Sequence, residues 1–357
     1  MDGKTVGEVT EVHMRKNIAK ILTIIMIMTT VLVFSSCSSC SKTTTQEQPA
    51  ETSESAQPAP AATPEIPDPE PQAVEEEDYP ATDKARWAGI RISSYGMRRS
   101  FGEDNFPSPD SMASFAGKMQ SCYEGSTGAH ILIVGTVSEK DWSCRLAFPL
   151  SHDIDRVTGR DEDFYDKYLD AFDEAGQEVW LQVEPGDADL VELAREVMSR
   201  YSHHRSVKGF GIDVEWYRPE GTNGYGTVLD EDTAIEVLEA VREFDPSYTL
   251  FVKHWDCSYL PEDIEGLIYI NDSQGFRPDA DSTALERLAD TFAGWAFLFD
   301  PCPVMFQIGY NADENIWGDM ENPAKELGQA ILDACFTDND KGVIWVDFTL
   351  DKAMRNI

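Results

Sequence analysis

Two carboxylates lie two residues apart at the end of an apolar run, in the segment KGFGIDVEWY at positions 208–217. Successive side chains of a β-strand point to opposite faces, so a strand here would direct Asp213 and Glu215 to the same side, with Cα atoms about 6.6 Å apart. Paired carboxylates suit cleavage of a glycosidic bond, because one acid protonates the leaving oxygen while the other stabilises positive charge at the sugar carbon. We therefore predict Glu215 as the proton donor and Asp213 as its catalytic partner.

The elements that must position this pair form a regular repeat. Eight short apolar runs alternate with amphipathic segments, which is typical of strands buried on both faces with helices between them. The runs cover residues 87–93, 130–136, 178–184, 207–215, 249–255, 266–271, 303–309 and 342–348, and the clearest helical segments cover 161–175, 187–201, 230–244, 282–298 and 323–336. This alternation predicts an α/β fold, a closed (β/α)8 barrel of the TIM type, because no GxGxxG motif of a doubly wound sheet follows any run.

The active site of such a barrel lies at the carboxyl ends of the strands. Polar side chains there need a partner or a ligand, since burying them alone is costly. Besides Asp213 and Glu215, this rule selects a set of candidate substrate-binding residues: Arg91, Gln182, Glu184, Trp216, Tyr217, Lys253, Trp255, Asn271, Gln307, Tyr310 and Asp347. Asp272 lies at one of these strand ends but receives no role.

Two other interpretations of these residues remain open. Asp213 and Glu215 could be buried acids that Arg91 or Lys253 satisfies, in which case they would serve stability alone. His254 and Asp256 offer two metal ligands, but no third ligand has suitable spacing. We predict neither a metal nor a cofactor.

The segment GFGIDVEW at 209–216 resembles the strand-four D-x-E segment of family 25 glycoside hydrolases, lysozymes that cut bacterial peptidoglycan on a (β/α)8-like barrel. AGIRISSYG at 88–96 and VIWVDFTL at 343–350 are similar to that family's first and closing strands. The resemblance implies a glycoside hydrolase that cleaves peptidoglycan or another polysaccharide.

The chain departs from that family at Arg91, where the family carries an aspartate. A guanidinium at this position is expected to pair with Asp213 or Glu184 and to hold its partner ionised. If it lay next to Glu215, it would lower the pKa of that acid and weaken it as a proton donor. The departure therefore keeps a second hypothesis open, a non-catalytic carbohydrate-binding lipoprotein on the same fold.

Residues 1–36 resemble a bacterial lipoprotein signal peptide. Arg15 and Lys16 precede an apolar run at 21–34, and small residues then lead to Cys37. The resemblance implies cleavage before Cys37, lipidation of its thiol, and an extracytoplasmic protein anchored to a bacterial membrane. Cys40 is a second candidate for lipidation, and an uncleaved membrane anchor is the alternative.

Composition indicates the domain organisation of the rest of the chain and the kinds of partner it can bind. Residues 37–80 are rich in Pro and Glu and nearly lack large apolar side chains, so we predict a disordered tether, with the barrel domain at 81–357. The chain has 29 Lys and Arg against 65 Asp and Glu, a formal charge of -36. This charge argues against nucleic acid as a partner, because phosphate binding needs a basic face. The expected partners are a polysaccharide or peptidoglycan and, through the lipid, a membrane.

Overall fold

The computed structural model describes residues 84–219, 226–262 and 264–354. The predicted signal peptide at 1–36, Cys37 and the predicted tether at 37–80 lie outside the described residues. Within the described part, no helix is long and apolar enough to cross a lipid bilayer.

The strands confirm the predicted barrel. In chain order they are β1 (Trp87–Ile92), β2 (Thr127–Val137), β3 (Cys144–Leu146), β4 (Val157–Thr158), β5 (Glu178–Val183), β6 (Val207–Asp213), β7 (Thr249–Lys253), β8 (Leu267–Asn271), β9 (Val304–Ile308) and β10 (Lys341–Trp345). All except β3 and β4 belong to a parallel barrel, which β1 closes by pairing with both β2 and β10. β3 pairs with the end of β2 in the antiparallel sense, and β4 extends that small addition.

Helices surround the barrel. They are α1 (Ser94–Phe101), α2 (Pro109–Ser121), α3 (Asp166–Ala175), α4 (Leu190–Tyr201), α5 (Glu231–Arg242), α6 (Ala284–Leu298), α7 (Glu314–Trp317), α8 (Pro323–Ala334) and α9 (Leu350–Ala353). Local signals fix several ends. Thr283 and Glu286 form a reciprocal capping box at the start of α6, and Gly176 ends α3 in the left-handed conformation.

The prediction of eight complete strand–helix units is wrong in one unit. Between β7 and β8 the described residues form only a 3-10 turn at Cys257–Tyr259. In contrast, the connection between β1 and β2 holds α1 and α2, neither of which the amphipathic pattern predicted. Thirteen residues separate β7 from β8, which is close to the minimum of about 10–12 for a parallel crossover that contains a helix.

The interior of the barrel is divided into an apolar lower part and a polar upper part. An apolar cluster contains Trp87, Trp180 and Phe251, with the two indole rings in an edge-to-face contact 5.5 Å apart. Side chains two residues further along the same strands face the same way, because strand side chains alternate. Gln182 and Lys253 therefore lie above this cluster, at the carboxyl ends of the strands.

We predict that Gly211→Ala destabilises the fold. A Cβ at Gly211 would lie 2.1 Å from the ring of Phe251, which has no free space inside the barrel. Such overpacking costs about 1–3 kcal/mol of unfolding free energy, measurable by urea denaturation. Gly294→Ala in α6 is the control, because its Cβ meets no atom within 4 Å, and it should stabilise by about 0.5–1 kcal/mol. Equal effects of the two changes would contradict this account of the interior.

Candidate active site at the carboxyl ends of the barrel strands

The ammonium of Lys253, at the end of β7, contacts three carboxyl groups. Its Nζ lies 3.2 Å from Oδ1 of Asp213 and 3.3 Å from Oε1 of Glu215, and it also contacts Oδ2 of Asp272. Lys253, Asp213 and Asp272 are buried, whereas the Glu215 side chain is 23% exposed. Glu215 is therefore the acid of this cluster that a ligand from solvent can reach.

The backbone positions the two predicted catalytic acids differently from the sequence-based expectation. β6 ends at Asp213, and residues Val214–Trp216 form a 3-10 turn, so the prediction that Glu215 continues the alternation of the strand is wrong. Asp213 lies opposite Lys253 in the parallel register of β6 and β7. The turn brings Glu215 back to the same ammonium. The two carboxylate oxygens that contact Lys253 can therefore be no more than 6.5 Å apart.

Burial of three acids around one ammonium shifts the pKa values of this cluster. Burial raises the pKa of Asp213 to about 7 and that of Glu215 to about 8, although Lys253 opposes both shifts. Burial also opposes ionisation of Asp272, but Lys253 and a hydrogen bond from Glu215 keep its pKa below the ordinary value. At neutral pH the arrangement therefore keeps Asp272 ionised and Glu215 protonated.

Arg91 forms a second buried ion pair, with a partner other than the two expected from the sequence. Its Nη2 donates to Oδ1 of Asp347 at 2.5 Å, whereas the sequence-based prediction was a pair with Asp213 or Glu184. Asp347 also accepts hydrogen bonds from the backbone and hydroxyl of Ser93. Because Asp347 already neutralises Arg91, the guanidinium does not form an ion pair with the proposed proton donor.

The buried amides of the predicted set surround the acids. Nε2 of Gln182 donates to Oδ2 of Asp213 at 3.0 Å, and the hydroxyl of Tyr310 donates to Oε1 of Gln307 at 3.1 Å. Asn271 ends its strand in a turn, where its Oδ1 accepts from the backbone of Ser273. Within the described residues, Gln182 Oε1, Asn271 Nδ2 and Gln307 Nε2 have no hydrogen-bond partner. Buried amide atoms of this kind need a ligand or water.

Glu184 is tied to the rim of the barrel. Its two oxygens accept hydrogen bonds from the hydroxyl of Tyr95 at 2.9 Å and from the backbone of Val137 at 3.0 Å. Burial raises the pKa of Glu184. Because both of its oxygens already accept hydrogen bonds, Glu184 forms part of the wall beside the acid cluster.

Aromatic side chains border the opening. Trp216 and Tyr217 are half-buried directly after Glu215, and Trp255 is 42% exposed after β7. Phe348, which the sequence-based set lacks, lies with its ring centre 4.6 Å from the guanidinium carbon of Arg91 and within 6.2 Å of the ring of Tyr310. Phe348 directly follows Asp347, but no spacing rule distinguishes a rim aromatic from a packing one.

Asp272 is the other important residue without a predicted role. It is in phase with Ile268 and Ile270, which belong to the apolar cluster of the interior, and it follows the last residue of β8. This phase is the sequence signal that could have placed Asp272 inside the barrel mouth. Asp272 contacts Lys253 and accepts a hydrogen bond from Glu215, so it belongs to the acid cluster.

A separate set of side chains has the spacing of metal ligands. Asp166, His203 and His204 form one group of three, and Asp170, Asp173 and His204 form another. These residues belong to α3 and to the turn before β6, at the amino ends of the strands. The groups are therefore distinct from the acids at the carboxyl ends.

Comparison with known proteins finds no matching family model and no matching curated protein. Among solved structures the chain is similar to a candidate alpha-L-fucosidase from Bacteroides thetaiotaomicron, with 11% identity over 78% of this chain and 91% of that chain and a TM-score of 0.44. An endo-1,4-beta-mannanase from Eisenia fetida gives 10% identity over 76% and 90%, with a TM-score of 0.42. A GH18 chitinase from Pseudoalteromonas aurantia gives 11% over 76% and 98%, with a TM-score of 0.38.

We predict that Lys253→Met destabilises the protein in a pH-dependent way. Without the ammonium, the folded-state pKa values of all three acids rise, which moves those of Asp213 and Glu215 further above their unfolded values, so stability falls as pH rises. Removing one partner of a buried ion cluster costs about 3–5 kcal/mol at pH 8, and the cost should be smaller at pH 5, where the acids can protonate. Denaturation at the two pH values measures the difference.

The matched control is Lys352→Met. Lys352 forms an exposed ion pair with Glu314, so its replacement should cost less than about 1 kcal/mol at both pH values. A pH-independent effect of Lys253→Met would show that Lys253 does not set the charge of the cluster.

Proposed function

We propose that this chain is a glycoside hydrolase that cleaves glycosidic bonds in a polysaccharide, with peptidoglycan as one substrate class. The observation that carries the proposal is the partly exposed carboxyl of Glu215, which burial keeps protonated at neutral pH beside the second acid Asp213. A leaving alkoxide needs such a proton donor. The site lies at the carboxyl ends of the strands, where catalytic groups of this fold are expected.

The two acids take different roles. Glu215 donates its proton to the glycosidic oxygen, and Asp213, whose pKa is the lower of the two, stabilises positive charge at the sugar carbon as a carboxylate. Retaining enzymes hold their carboxyl groups about 5–5.5 Å apart, and inverting enzymes about 6.5–9.5 Å. The 6.5 Å upper limit between the Lys253-bound oxygens supports retention, with either Asp213 or an N-acetyl group of the substrate as nucleophile.

The substrate would be held by the groups around the acids. Trp216, Tyr217 and Trp255 offer apolar ring surface for sugar faces, and the unpartnered amide atoms of Gln182 and Gln307 suit sugar hydroxyls. These groups are neutral, so they match an uncharged sugar unit near the acids.

A second candidate function is carbohydrate binding without catalysis. Lys253 contacts both Asp213 and Glu215, and an ammonium so close favours the ionised forms of both acids. A site whose acids serve only to neutralise Lys253 would bind sugar but leave it intact. The two candidate functions differ in whether any product is formed.

The proposal includes the cellular setting that the N-terminal sequence indicates. The lipoprotein-like signal at 1–36 and the Pro- and Glu-rich segment at 37–80 support an extracytoplasmic protein, anchored to a bacterial membrane through Cys37. Mass spectrometry of the membrane-extracted protein would test this. A mature chain that begins at a lipid-modified Cys37 is expected, and a chain that retains residues 1–36 would contradict it.

We predict that Glu215→Gln abolishes turnover and retains sugar binding. The amide keeps the shape of the side chain but cannot donate the catalytic proton, so the rate should fall about 10²–10⁴-fold. Release of reducing sugar from peptidoglycan, chitin and a panel of plant and microbial glycans measures the change. Glu243→Gln is the control, since Glu243 forms an exposed ion pair with Arg195. If the unchanged protein binds a glycan but releases no product from any of them, the result would instead support carbohydrate binding without catalysis.

We predict a bell-shaped pH profile with apparent pKa values near 7 and 8. Activity falls below about 7 because Asp213 becomes protonated, and it falls above about 8 because Glu215 loses its proton. Initial rates between pH 5 and 10 on the best substrate provide the test. An optimum near pH 5 would mean that both acids titrate near their ordinary values.

A further inference from the structure

A pocket lies beside the barrel mouth, next to the short strand β3. The cavity is about 340 Å³ in volume and lies between α1, the end of β2, β3 and residues 160–165. Ligand pockets span about 300–1,000 Å³, so this one suits a single small ligand. Its wall includes Glu184, which also borders the acid cluster. None of Asp213, Glu215, Lys253 and Asp272 lines the pocket.

Three arginine residues line this pocket. Arg98 comes from α1, Arg145 from β3, and Arg160 from the segment before α3. Arg98 pairs with Glu103 at 3.1 Å, whereas neither Arg145 nor Arg160 has an ion-pair partner among the described residues. In a chain with a formal charge of -36, three arginines at one cavity form a local positive field that favours an anion.

A buried hydroxyl in the same lining also lacks a partner. Tyr165 is 1% exposed, and its hydroxyl has no hydrogen-bond partner within the described part of the chain. Burial raises the pKa of Tyr165, so the group remains a donor at neutral pH. An unpaired buried hydroxyl is costly, and a ligand oxygen in the pocket would satisfy it.

The only carboxylate in this lining is already satisfied. Both oxygens of Glu184 accept hydrogen bonds, from Tyr95 and from the backbone of Val137, and burial raises its pKa. Glu184 therefore opposes an anion less than a free carboxylate would. The ring of Phe164, which lies 5.3 Å from the guanidinium carbon of Arg160, adds an apolar wall for the body of a ligand.

We propose that this pocket binds an oxyanion carried on a small organic ligand the size of one sugar unit. The guanidinium groups of Arg145 and Arg160 would pair with the oxyanion, and the hydroxyl of Tyr165 would donate to it. The proposal does not depend on hydrolysis by Glu215. If the chain is a glycosidase, the same pocket would favour glycans that carry acidic sugars.

Titration calorimetry of the full chain at low salt tests this proposal with four sugars of one size. D-glucuronate, D-glucose 6-phosphate and D-glucose 6-sulfate carry three different oxyanions, and D-glucose carries none. We expect at least one charged sugar to bind at least about tenfold more tightly than glucose. The charged sugar that binds best identifies the oxyanion as carboxylate, phosphate or sulfate.

Variants locate that binding. The double change Arg145→Gln with Arg160→Gln should weaken binding of the best charged sugar at least about tenfold, because hydrogen bonds to charged groups are lost. The control double change is Arg195→Gln with Arg287→Gln, which removes the same charge from exposed ion pairs elsewhere and should leave affinity unchanged. Glu215→Gln should also leave it unchanged, which separates this pocket from the proposed catalytic site.

Tyr165→Phe tests the buried hydroxyl itself. It should weaken the same binding several-fold without lowering the melting temperature, since the hydroxyl has no partner to lose in the folded protein. A lower melting temperature with unchanged affinity would mean a structural role. Failure of all charged sugars to bind at about 10 mM, or equal affinity in the two double variants, would overturn the proposal.

Discussion

One buried ammonium determines the chemistry of this barrel. Lys253 lies between the carboxyl groups of Asp213, Glu215 and Asp272, and removing each ion from water costs several kcal/mol. A single positive charge compensates for only one full carboxylate. The acids must therefore share the remaining cost by keeping protons, and Glu215, the most exposed of the three, keeps its proton to the highest pH. A proton donor next to solvent follows from burying three acids around one ammonium.

The barrel provides the surroundings of this acid cluster. Phe251 and Lys253 lie on one face of β7, so the same strand contributes to the apolar cluster and to the polar layer above it. The Arg91 and Asp347 pair joins the first strand to the end of the last one and keeps a second positive charge away from Glu215. The acid cluster therefore lies in a barrel whose other buried ion pair, Arg91 with Asp347, is already neutralised.

The sequence predicts the strands well because nearly continuous apolar runs leave few alternatives for a buried segment. The same periodicity correctly places Gln182 and Lys253 at the barrel mouth. It does not predict the 3-10 turn after Asp213, which reorients Glu215, because short turns depend on packing against neighbouring strands. Nor does it predict that Arg91 pairs with Asp347, 256 positions away. Nor does the sequence predict the pocket lined by Arg98, Arg145 and Arg160, because these three residues come from three separate elements.

The protonation state of Glu215 tests the central claim most directly. Carbon-13 labelling of glutamate side chains, with Glu215→Gln to assign the signal, would allow the carboxyl to be titrated by NMR between pH 3 and 10. We predict that its chemical shift changes with an apparent pKa near 8, in a step coupled to Asp213. A Glu215 signal that titrates near the ordinary pKa of glutamate, about 4.3, would contradict the account. Glu215 would then be a carboxylate at neutral pH, and Lys253 would simply neutralise it.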